Sequence, residues 1–384
     1  MLRYLITAVV SEELARVRAA PIPHQIRLSW NDDTDLGADG LGFDSLALLE
    51  VVTRLNQMFS LHRTGVEDYL FIRNRLGDWV DLVGHHLTTE GPEATATFRT
   101  SGSTGAPKPV IHRLTKLASE VTAMRPVLGP VNRVVSMVPP FHIYGFLWTV
   151  LMPSSAGIPT LDQSAGGIGT AIEQLRPDDL LVATPTHLKL VGTAGPALPS
   201  GIRILTSAGA MAADEWRDLA DRHSVQITEL FGSTETGGLG YRISPDAEFT
   251  LMAHLDREND AIADDQAPLP LQDRIQWVGE RRFIPLGRLD AAIKLGGNKV
   301  YPDAVVQRLL MHPGVAEAAV RPNGGESATR LKCVVVPSDP NADIELLERD
   351  LRHSMANRAA SEQPSSYTFA QRLPRNSIGK TIDW

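Results

Sequence analysis

The segment TSGSTGAPKPV, residues 100–110, combines hydroxyl side chains and glycines with one cation, Lys108. Gly102 and Gly105 allow backbone N–H groups to converge on an anion, and the hydroxyl and ammonium groups add further donors. The combination predicts a loop that holds the phosphates of a nucleotide. A surface linker of Ser, Thr and Gly is the alternative, and the lysine beside apolar residues favours the phosphate loop.

This loop differs from the one in P-loop NTPases. Their loop requires the pattern G-x-x-x-x-G-K-[ST], whereas Pro107 directly precedes Lys108 here. The later sequence IGKT also fails, because Pro374 occupies the position where the pattern needs its first glycine. A P-loop NTPase or kinase is therefore disfavoured.

Segments in chain order resemble the motifs of the adenylate-forming enzymes, which include acyl- and aryl-CoA ligases, non-ribosomal peptide adenylation domains and luciferases. The segments are TSGSTGAPKPV (100–110), LFGSTETGG (230–238), GRLDAAIKLGGNKVYP (287–302) and PRNSIGK (374–380). The resemblance implies that a carboxylate attacks the α-phosphorus of ATP, giving an acyl-adenylate and pyrophosphate. A thiol then attacks the adenylate. Charge develops on the phosphates in the first half-reaction, so positioned cations should supply most of the catalysis.

The resemblance assigns residues to each part of ATP. The β- and γ-phosphates are expected to contact Thr100, Ser101, Gly102, Ser103, Thr104, Gly105 and Lys108. The adenine is expected beside Phe231 and Gly232 and beside the loop SAGA (207–210), which contains Ala208, Gly209 and Ala210. A core position is the alternative for Phe231.

The remaining contacts to ATP concern phosphate, metal and ribose. By resemblance, Thr234 donates to a phosphate oxygen and Glu235 ligates Mg²⁺, a cation that accepts one carboxylate together with phosphate oxygens. The family has an Asp that accepts both ribose hydroxyls, and the resemblance assigns this role to Asp273, which lies 15 positions before Arg288 as suits the family pattern. Its usual Thr-Gly-Asp context is missing, and a surface Asp is the alternative. Arg288 is expected to contact ribose or phosphate.

The resemblance also implies a mobile C-terminal domain. Lys380 is expected to bridge the substrate carboxylate and the α-phosphate. Asp290 is the expected hinge, and rotation about it would bring the loop at Gly296 and Gly297 toward the thiol. The segment PPFHIYGF (139–146) resembles the lining of the acyl pocket and thiol tunnel, with His142 as a gate or as a structural residue.

The N-terminal region departs from this pattern. Residues 33–59 resemble an acyl carrier protein, which carries phosphopantetheine on the serine of Asp-Ser-Leu, here Ser45. Two alternatives remain: Asp44 or Ser45 only caps a helix, or a vestigial carrier supports the adenylation core. Because only 99 residues precede Thr100, part of the usual front lobe is expected to be absent.

The elements that must position these residues predict an α/β protein. Residues 1–87 are expected to be helical and carrier-like, since Leu46, Leu49, Val52 and Leu55 recur at a spacing of three. Residues 94–288 alternate short apolar runs with helical segments, which is typical of a layered core that binds ATP and acid. Residues 289–384 are expected to form a small, mobile α+β domain.

Composition narrows the class of protein. A formal net charge of -8 over 384 residues disfavours a nucleic-acid binder. No run approaches the ~18 apolar residues of a membrane span. The single cysteine, Cys333, lies in the apolar run LKCVVV and is predicted to be an inert strand residue. A cytoplasmic protein is expected.

The favoured function is an ATP-dependent acid–thiol ligase that loads a carboxylic acid onto the phosphopantetheine of an acyl carrier protein. Free CoA as acceptor is the alternative. A nucleotide-binding scaffold without catalysis is another, against which Glu235 and Lys380 argue. An aryl acid is preferred, because the candidate pocket residues Phe141, Tyr144, Phe146 and Trp148 are aromatic; core packing is the other explanation for them.

Overall fold

The computed structural model describes residues 2–100, 108–194, 198–264, 267–288, 293–295, 298–323, 330–356 and 358–374. The chain divides into two compact units, Met1–Leu269 and Pro270–Trp384. No helix in the described ranges is long and apolar enough to cross a membrane. The functional domains 1–87, 94–288 and 289–384 stay predictions.

The first unit begins with helices, as the sequence predicts, and carries further helices between its strands. They are α1 (Leu2–Val17), α2 (His24–Leu28), α3 (Ser45–Phe59), α4 (Glu67–Ile72), α5 (Leu76–Glu90), α6 (Leu114–Leu128), α7 (Ile143–Gly145), α8 (Met152–Ala156), α9 (Ile168–Gln174), α10 (Pro185–Ala194) and α11 (Ala213–His223). A π-helical segment, Phe146–Leu151, joins α7 to α8.

Helix α3 buries a different face from the predicted one. Leu55 and Val52 are buried, but Leu46 is 67% and Leu49 is 45% exposed. A spacing of three falls short of a full turn, so Leu46 and Leu55 lie about 180° apart around the helix. The buried stripe instead includes Ala47 and Val51, and a spacing near four keeps it on one side.

The strands of the first unit are β1 (Thr95–Arg99), β2 (Pro109–Arg113), β3 (Arg133–Ser136), β4 (Thr160–Asp162), β5 (Asp179–Ala183), β6 (Arg203–Thr206), β7 (Gln226–Ser233), β8 (Gly237–Arg242), β9 (Phe249–Leu251), β10 (Asp256–Glu258), β11 (Ala261–Asp264) and β12 (Ala267–Pro268). Strands β1 and β2 form a hairpin, and β10 to β12 form a small antiparallel sheet.

The main sheet of this unit has the strand order β9-β8-β7-β6-β5-β3-β4. Strands β4, β3, β5, β6 and β7 are parallel, and β8 and β9 return antiparallel. Every residue of β5 is buried. Leu188 of α10 and Trp216 of α11 join Leu181 of β5 in one apolar cluster, so these helices cover one face, as expected for a layered α/β core.

The N-terminal helices are packed into this unit. Arg27 of α2 pairs with Asp162 of β4 at 2.5 Å between Nη2 and Oδ2, and the two side chains are only 7% and 9% exposed. Arg54 of α3 places its guanidinium 4.6 Å from the ring centre of Phe141. Ionic and aromatic contacts therefore join the helical region to the core.

The described residues of the second unit form short strands and two helices. They are β13 (Asp273–Trp277), β14 (Arg282–Arg288), β15 (Ile293–Leu295), β16 (Asn298–Val300), α12 (Pro302–Leu310), β17 (Val315–Asn323), β18 (Arg330–Pro337), α13 (Ile344–Met355) and β19 (Pro364–Phe369). Strand β18 pairs antiparallel with β17 and parallel with β19. Cys333 of β18 is fully buried, and burial raises the pKa of its thiol to about 12, as fits an inert core residue.

Candidate active site

The candidate site of the first unit lies at the carboxyl ends of its parallel strands. Strand β6 leads into the loop at 207–210, and β7 leads into a turn at 234–236. Strands β6 and β7 are parallel neighbours, so both segments leave the sheet at the same edge. Open α/β sheets bind their ligands at this edge. The fold thus brings the predicted adenine loop and the predicted metal turn together.

The phosphate loop emerges from the β1–β2 hairpin. Thr100 N–H donates to the Lys108 carbonyl oxygen at 3.0 Å, and Lys108 N–H donates to Thr100 Oγ1 at 3.1 Å. These two bonds close the base of the segment. Its inner members Ser101, Gly102, Ser103, Thr104 and Gly105 lie outside the described residues.

The predicted adenine loop is tied to the neighbouring strand. Ser207 Oγ donates to the carbonyl oxygen of Leu230 at 3.0 Å, next to Phe231. Ala208 has a φ of 66°, in the left-handed region that a residue with a Cβ occupies only under strain. Ala208, Gly209 and Ala210 are exposed, so the surroundings hold the loop in a strained form that faces solvent.

Phe231 and Gly232 follow Leu230, the residue of β7 that Ser207 contacts. The Phe231 ring is half-buried and lies 5.5 Å from the ring of Phe249. Gly232 is exposed, and a Cβ added there would come within 2.2 Å of the Gly237 carbonyl oxygen. A glycine is therefore required where β7 and β8 approach each other.

A buried ion pair supports the same region. Glu229 Oε2 lies 2.6 Å from the guanidinium of Arg242, and its Oε1 accepts from Met211 N–H at 3.1 Å. Burial raises the pKa of Glu229, and the Arg242 cation opposes that shift. Arg242 also lies over the Phe249 ring at 5.0 Å, so the pair links the end of the adenine loop to the aromatic contact of Phe231.

Thr234 and Glu235 occupy the turn between β7 and β8. Ser233 and Thr236 close the turn, because each backbone N–H donates to the other's hydroxyl at 3.3 Å. Glu235 is half-buried, and none of the hydrogen bonds or ion pairs found among the described residues uses its carboxylate. A single available carboxylate is a donor of the kind that Mg²⁺ takes together with phosphate oxygens and water, so the residues present fit this ion.

Two buried polar side chains that belong to none of the sequence motifs contact this turn. His112 of β2 donates from Nε2 to the Thr234 carbonyl oxygen at 2.7 Å. Glu120 of α6 accepts from Gly238 N–H at 2.9 Å. Burial lowers the pKa of His112 and raises the pKa of Glu120 to about 7. No local pattern in the sequence indicates either residue, because His112 lies on strand β2 and Glu120 on helix α6.

The segment at 139–146 is only partly a pocket candidate. Phe146 and Trp148 are buried core residues. Tyr144 places its Oη 2.7 Å from the Leu205 carbonyl oxygen and 3.0 Å from that of Ala183, so it ties β5 to β6. The burial of Phe146 and Trp148 and the hydrogen bonds of Tyr144 fit the core-packing alternative. Phe141 is half-buried and His142 exposed, so both can meet a ligand.

Two predicted ribose contacts face each other in the second unit. Asp273 of β13 and Arg288 of β14 are direct cross-strand partners, so the hairpin places residues 15 positions apart opposite each other. Asp273 is half-buried. The side chain of Arg288 lies outside the described part of the chain, as do Asp290, Gly296, Gly297 and Lys380.

Ser45 is exposed at the first residue of α3. Asp44, not Ser45, is the capping residue, because its Oδ1 accepts from Ala47 N–H at 2.8 Å. The capping alternative is thus met by Asp44, and modification of Ser45 stays a prediction.

Comparison with known proteins adds a family and relatives. The family model described as AMP-binding enzyme matches residues 73–260, and that described as AMP-binding enzyme C-terminal domain matches 307–380. A protein of Rhodobacter capsulatus named 4-coumarate--CoA ligase is 38% identical over 394 residues, covering 100% of each chain. One of Cereibacter sphaeroides with the same name is 39% identical, covering 92% of this chain and 86% of that one.

Solved structures resemble the fold. The O-succinylbenzoate coenzyme A synthetase of Bacillus subtilis in complex with AMP has a TM-score of 0.57 at 20% identity, covering 76% of this chain and 68% of that one. An anthranilate CoA ligase in complex with anthranoyl-AMP has a TM-score of 0.55 at 19% identity, covering 76% and 66%. These structures share the architecture expected from the sequence.

Proposed function

Because the chain belongs to the AMP-binding, adenylate-forming enzymes, we propose that it is an acid–CoA ligase that activates an aryl acid of the 4-coumarate type. The observation that carries the proposal is the 38% identity over the full length of both chains with a protein named 4-coumarate--CoA ligase. The proposed substrate is still an aryl acid, as the sequence predicts, and more specifically a phenol whose ring carries a chain that ends in a carboxylate.

The proposed thiol acceptor differs from the one that the sequence favours. The sequence favours an acyl carrier protein, with free CoA as the alternative, but the relatives that match along nearly the whole chain are named as CoA ligases. We therefore take free CoA as the thiol. The phosphopantetheine thiol of a carrier remains the competing acceptor, and the experiment below separates them.

In the first half-reaction, a carboxylate oxygen of the acid forms a bond to the α-phosphorus of ATP, and the bond from that phosphorus to the oxygen that bridges the α- and β-phosphates breaks, so that pyrophosphate leaves with this oxygen. Thr100 and Lys108, at the base of the hairpin loop, hold the leaving phosphates together with the loop residues, and Thr234 donates to a phosphate oxygen. Glu235 would hold Mg²⁺, which when bound would supply positive charge at the phosphates. Lys380 bridges the carboxylate and the α-phosphate.

In the second half-reaction, the CoA sulfur forms a bond to the acyl carbon, AMP leaves, and the thiol proton passes to solvent. The exposed His142 and its neighbour Phe141 are proposed to border the route of the thiol. Asp273 and Arg288 hold the ribose in both half-reactions. Between the two, the C-terminal domain rotates about Asp290, and the loop at Gly296 and Gly297 moves toward the thiol.

The test measures ATP–pyrophosphate exchange with 4-coumarate, cinnamate, 4-hydroxybenzoate and octanoate, then thioester formation with CoA or with a carrier protein bearing phosphopantetheine. We expect exchange with 4-coumarate and a thioester with CoA. Exchange with octanoate alone would exclude the aryl acid, and a thioester with the carrier alone would restore the carrier as acceptor. No exchange with any acid would favour the scaffold.

A matched pair of variants tests the metal assignment. Glu235→Gln should reduce exchange by at least about 100-fold, because it removes a charge that holds the metal at the phosphates. Glu173→Gln, an exposed carboxylate on α9, is the control and should leave the rate unchanged. Equal rates in both variants would contradict the role of Glu235.

A further inference from the structure

The turn that carries Thr234 and Glu235 is contacted from within the unit by His112 and Glu120. We propose that these two are positioning residues, which fix the β7–β8 turn and thereby set the positions of Thr234 and Glu235. The inference rests on the proposed function of the turn. It concerns side chains that bind backbone atoms of the turn and lie outside the motifs identified in the sequence.

His112 fixes the first peptide of the turn. Its ring is 4% exposed and lies 6.1 Å from the ring of Phe98, so packing limits its rotation. Nε2 donates to the Thr234 carbonyl oxygen at 2.7 Å. This carbonyl belongs to the peptide that joins Thr234 to Glu235, so the bond sets the direction in which the next side chain leaves the backbone.

Glu120 fixes the other end of the turn. The residue is 3% exposed, and Oε2 accepts from Gly238 N–H at 2.9 Å. A Cβ added to Gly237 or Gly238 would lie 2.8 or 2.5 Å from a Glu120 carboxylate oxygen. Gly237 also has a φ of 76°. The two glycines after the turn are therefore what allows this carboxylate to reach the backbone.

The charged side chains of Lys116, Asp264 and Glu235 lie around His112 and Glu120. Lys116 lies between the two residues in sequence and pairs with Asp264 at 2.9 Å. It acts electrostatically on both His112 and Glu120, and Glu235 acts on His112. Burying a carboxyl group costs stability compared with an apolar side chain, whereas directed hydrogen bonds hold neighbouring groups in one geometry.

The arrangement has a consequence for the reaction. Strand β2 follows Lys108 at the base of the phosphate loop and contains His112. The same strand therefore contacts the metal turn and continues from the phosphate loop. A change at His112 or Glu120 should alter how MgATP is held, with little effect on CoA.

The test compares variants that keep or remove each hydrogen bond. His112→Gln retains an N–H donor and Glu120→Gln retains an acceptor, whereas His112→Leu and Glu120→Leu remove them. Hydrogen exchange of the backbone amides at 233–238 is measured by mass spectrometry on the full chain. The KM values for MgATP and CoA are measured in parallel. Met124→Ala, a fully buried core change on α6, controls for general loss of stability.

We expect the Leu variants to speed amide exchange in the turn and raise the KM for MgATP by about tenfold each, the effect of losing one buried hydrogen bond. The Gln variants should stay near wild type, and the KM for CoA should not change. If a Leu variant does not fold, His112→Asn or Glu120→Asp, which are too short to reach, replaces it.

Unchanged amide exchange in both bond-removing variants would overturn the inference, as would equal losses in the Gln and Leu variants. So would the same pattern in Met124→Ala. Amide exchange decides the matter even if wild-type protein activates no acid, an outcome that would instead overturn the proposed function.

Discussion

At the scale of single residues, Glu120 links the candidate site to pH. Burial raises the pKa of its carboxyl group from 4.5 to about 7, and the Gly238 N–H and the Lys116 cation oppose the shift. The native protein therefore holds a proton on this group at pH values where the unfolded chain has released it. The stabilising effect is complete below about pH 4.5 and is lost as pH rises to about 7.

The first prediction follows from this linkage. Between pH 5 and pH 8 the wild-type protein should lose on the order of 3 kcal/mol of unfolding free energy through this group. Glu120→Gln has no titrating carboxyl group at this position and should not show that loss. Urea unfolding at both pH values measures it. Glu173→Gln should behave as wild type does, and parallel pH profiles for Glu120→Gln and wild type would show that Glu120 titrates normally.

The second prediction concerns Lys380. Lys380→Ala should reduce ATP–pyrophosphate exchange by at least about 1000-fold, since a cation at the reacting phosphate acts mainly in the transition state. Binding of ATP, measured by calorimetry, should change little. Lys189→Ala, an exposed lysine on α10, is the control. Full activity of Lys380→Ala would remove this residue from the mechanism.

Sequence motifs locate residues only when their partners are near in the chain or belong to a known pattern. Phe231, Thr234 and Glu235 sit in one short motif, and it lies at the carboxyl ends of the parallel strands, the edge at which open α/β sheets bind their ligands. His112 and Glu120 contact residues 122 and 118 positions away. Nothing local in the sequence pairs them with the turn, so only the fold reveals the contact.

At the scale of elements, helices and strands follow from the sequence, but the faces that they bury follow less well. The apolar run of α3 correctly predicts a helix, and Asp44 correctly predicts its start. The run includes more leucines than one face can bury, so the stripe through Leu46 was wrong. Cross-strand pairing of Asp273 with Arg288 was similarly implicit in a spacing that sequence alone could not interpret.

The third prediction concerns the contact between α2 and β4. Arg27→Ala leaves the Asp162 carboxylate buried without its cation, which should cost about 3–5 kcal/mol of unfolding free energy. Chemical denaturation measures the loss, and Arg27→Ala with Asp162→Asn should recover part of it. The exposed pair of Arg222 and Asp218 is the control, and Arg222→Ala should cost less than about 1 kcal/mol. If Arg27→Ala lost as little unfolding free energy as Arg222→Ala, the result would mean that water reaches the Asp162 carboxylate and the pair is not buried in solution.

At the scale of the whole molecule, the alternatives for the N-terminal region can be weighed. A working carrier must move to deliver its arm. The N-terminal helices instead pack into the first unit through the buried Arg27–Asp162 pair and the stacking of Arg54 on Phe141. The family match begins at residue 73 and includes α5, which begins within residues 1–87, the region predicted to be carrier-like. These observations favour a supporting role for the region.

The fourth prediction tests that role. Incubation with a phosphopantetheinyl transferase of broad specificity and CoA should leave the intact mass of the protein unchanged. Ser45→Ala should form CoA thioesters at the wild-type rate, because Ser45 contacts no part of the proposed mechanism. A genuine carrier protein in the same reaction shows that the transferase works. A gain of one phosphopantetheine arm, absent in Ser45→Ala, would establish the carrier function instead.

The buried Arg27–Asp162 pair also bears on where this protein can be cut. A fragment that starts at residue 73, where the family match starts, retains Asp162 but not Arg27. It would also lose Arg54, whose guanidinium stacks on Phe141. The boundary drawn by similarity thus runs through a physical folding unit, and anyone wishing to express the ATP-binding portion alone should keep the residues from α1 onward.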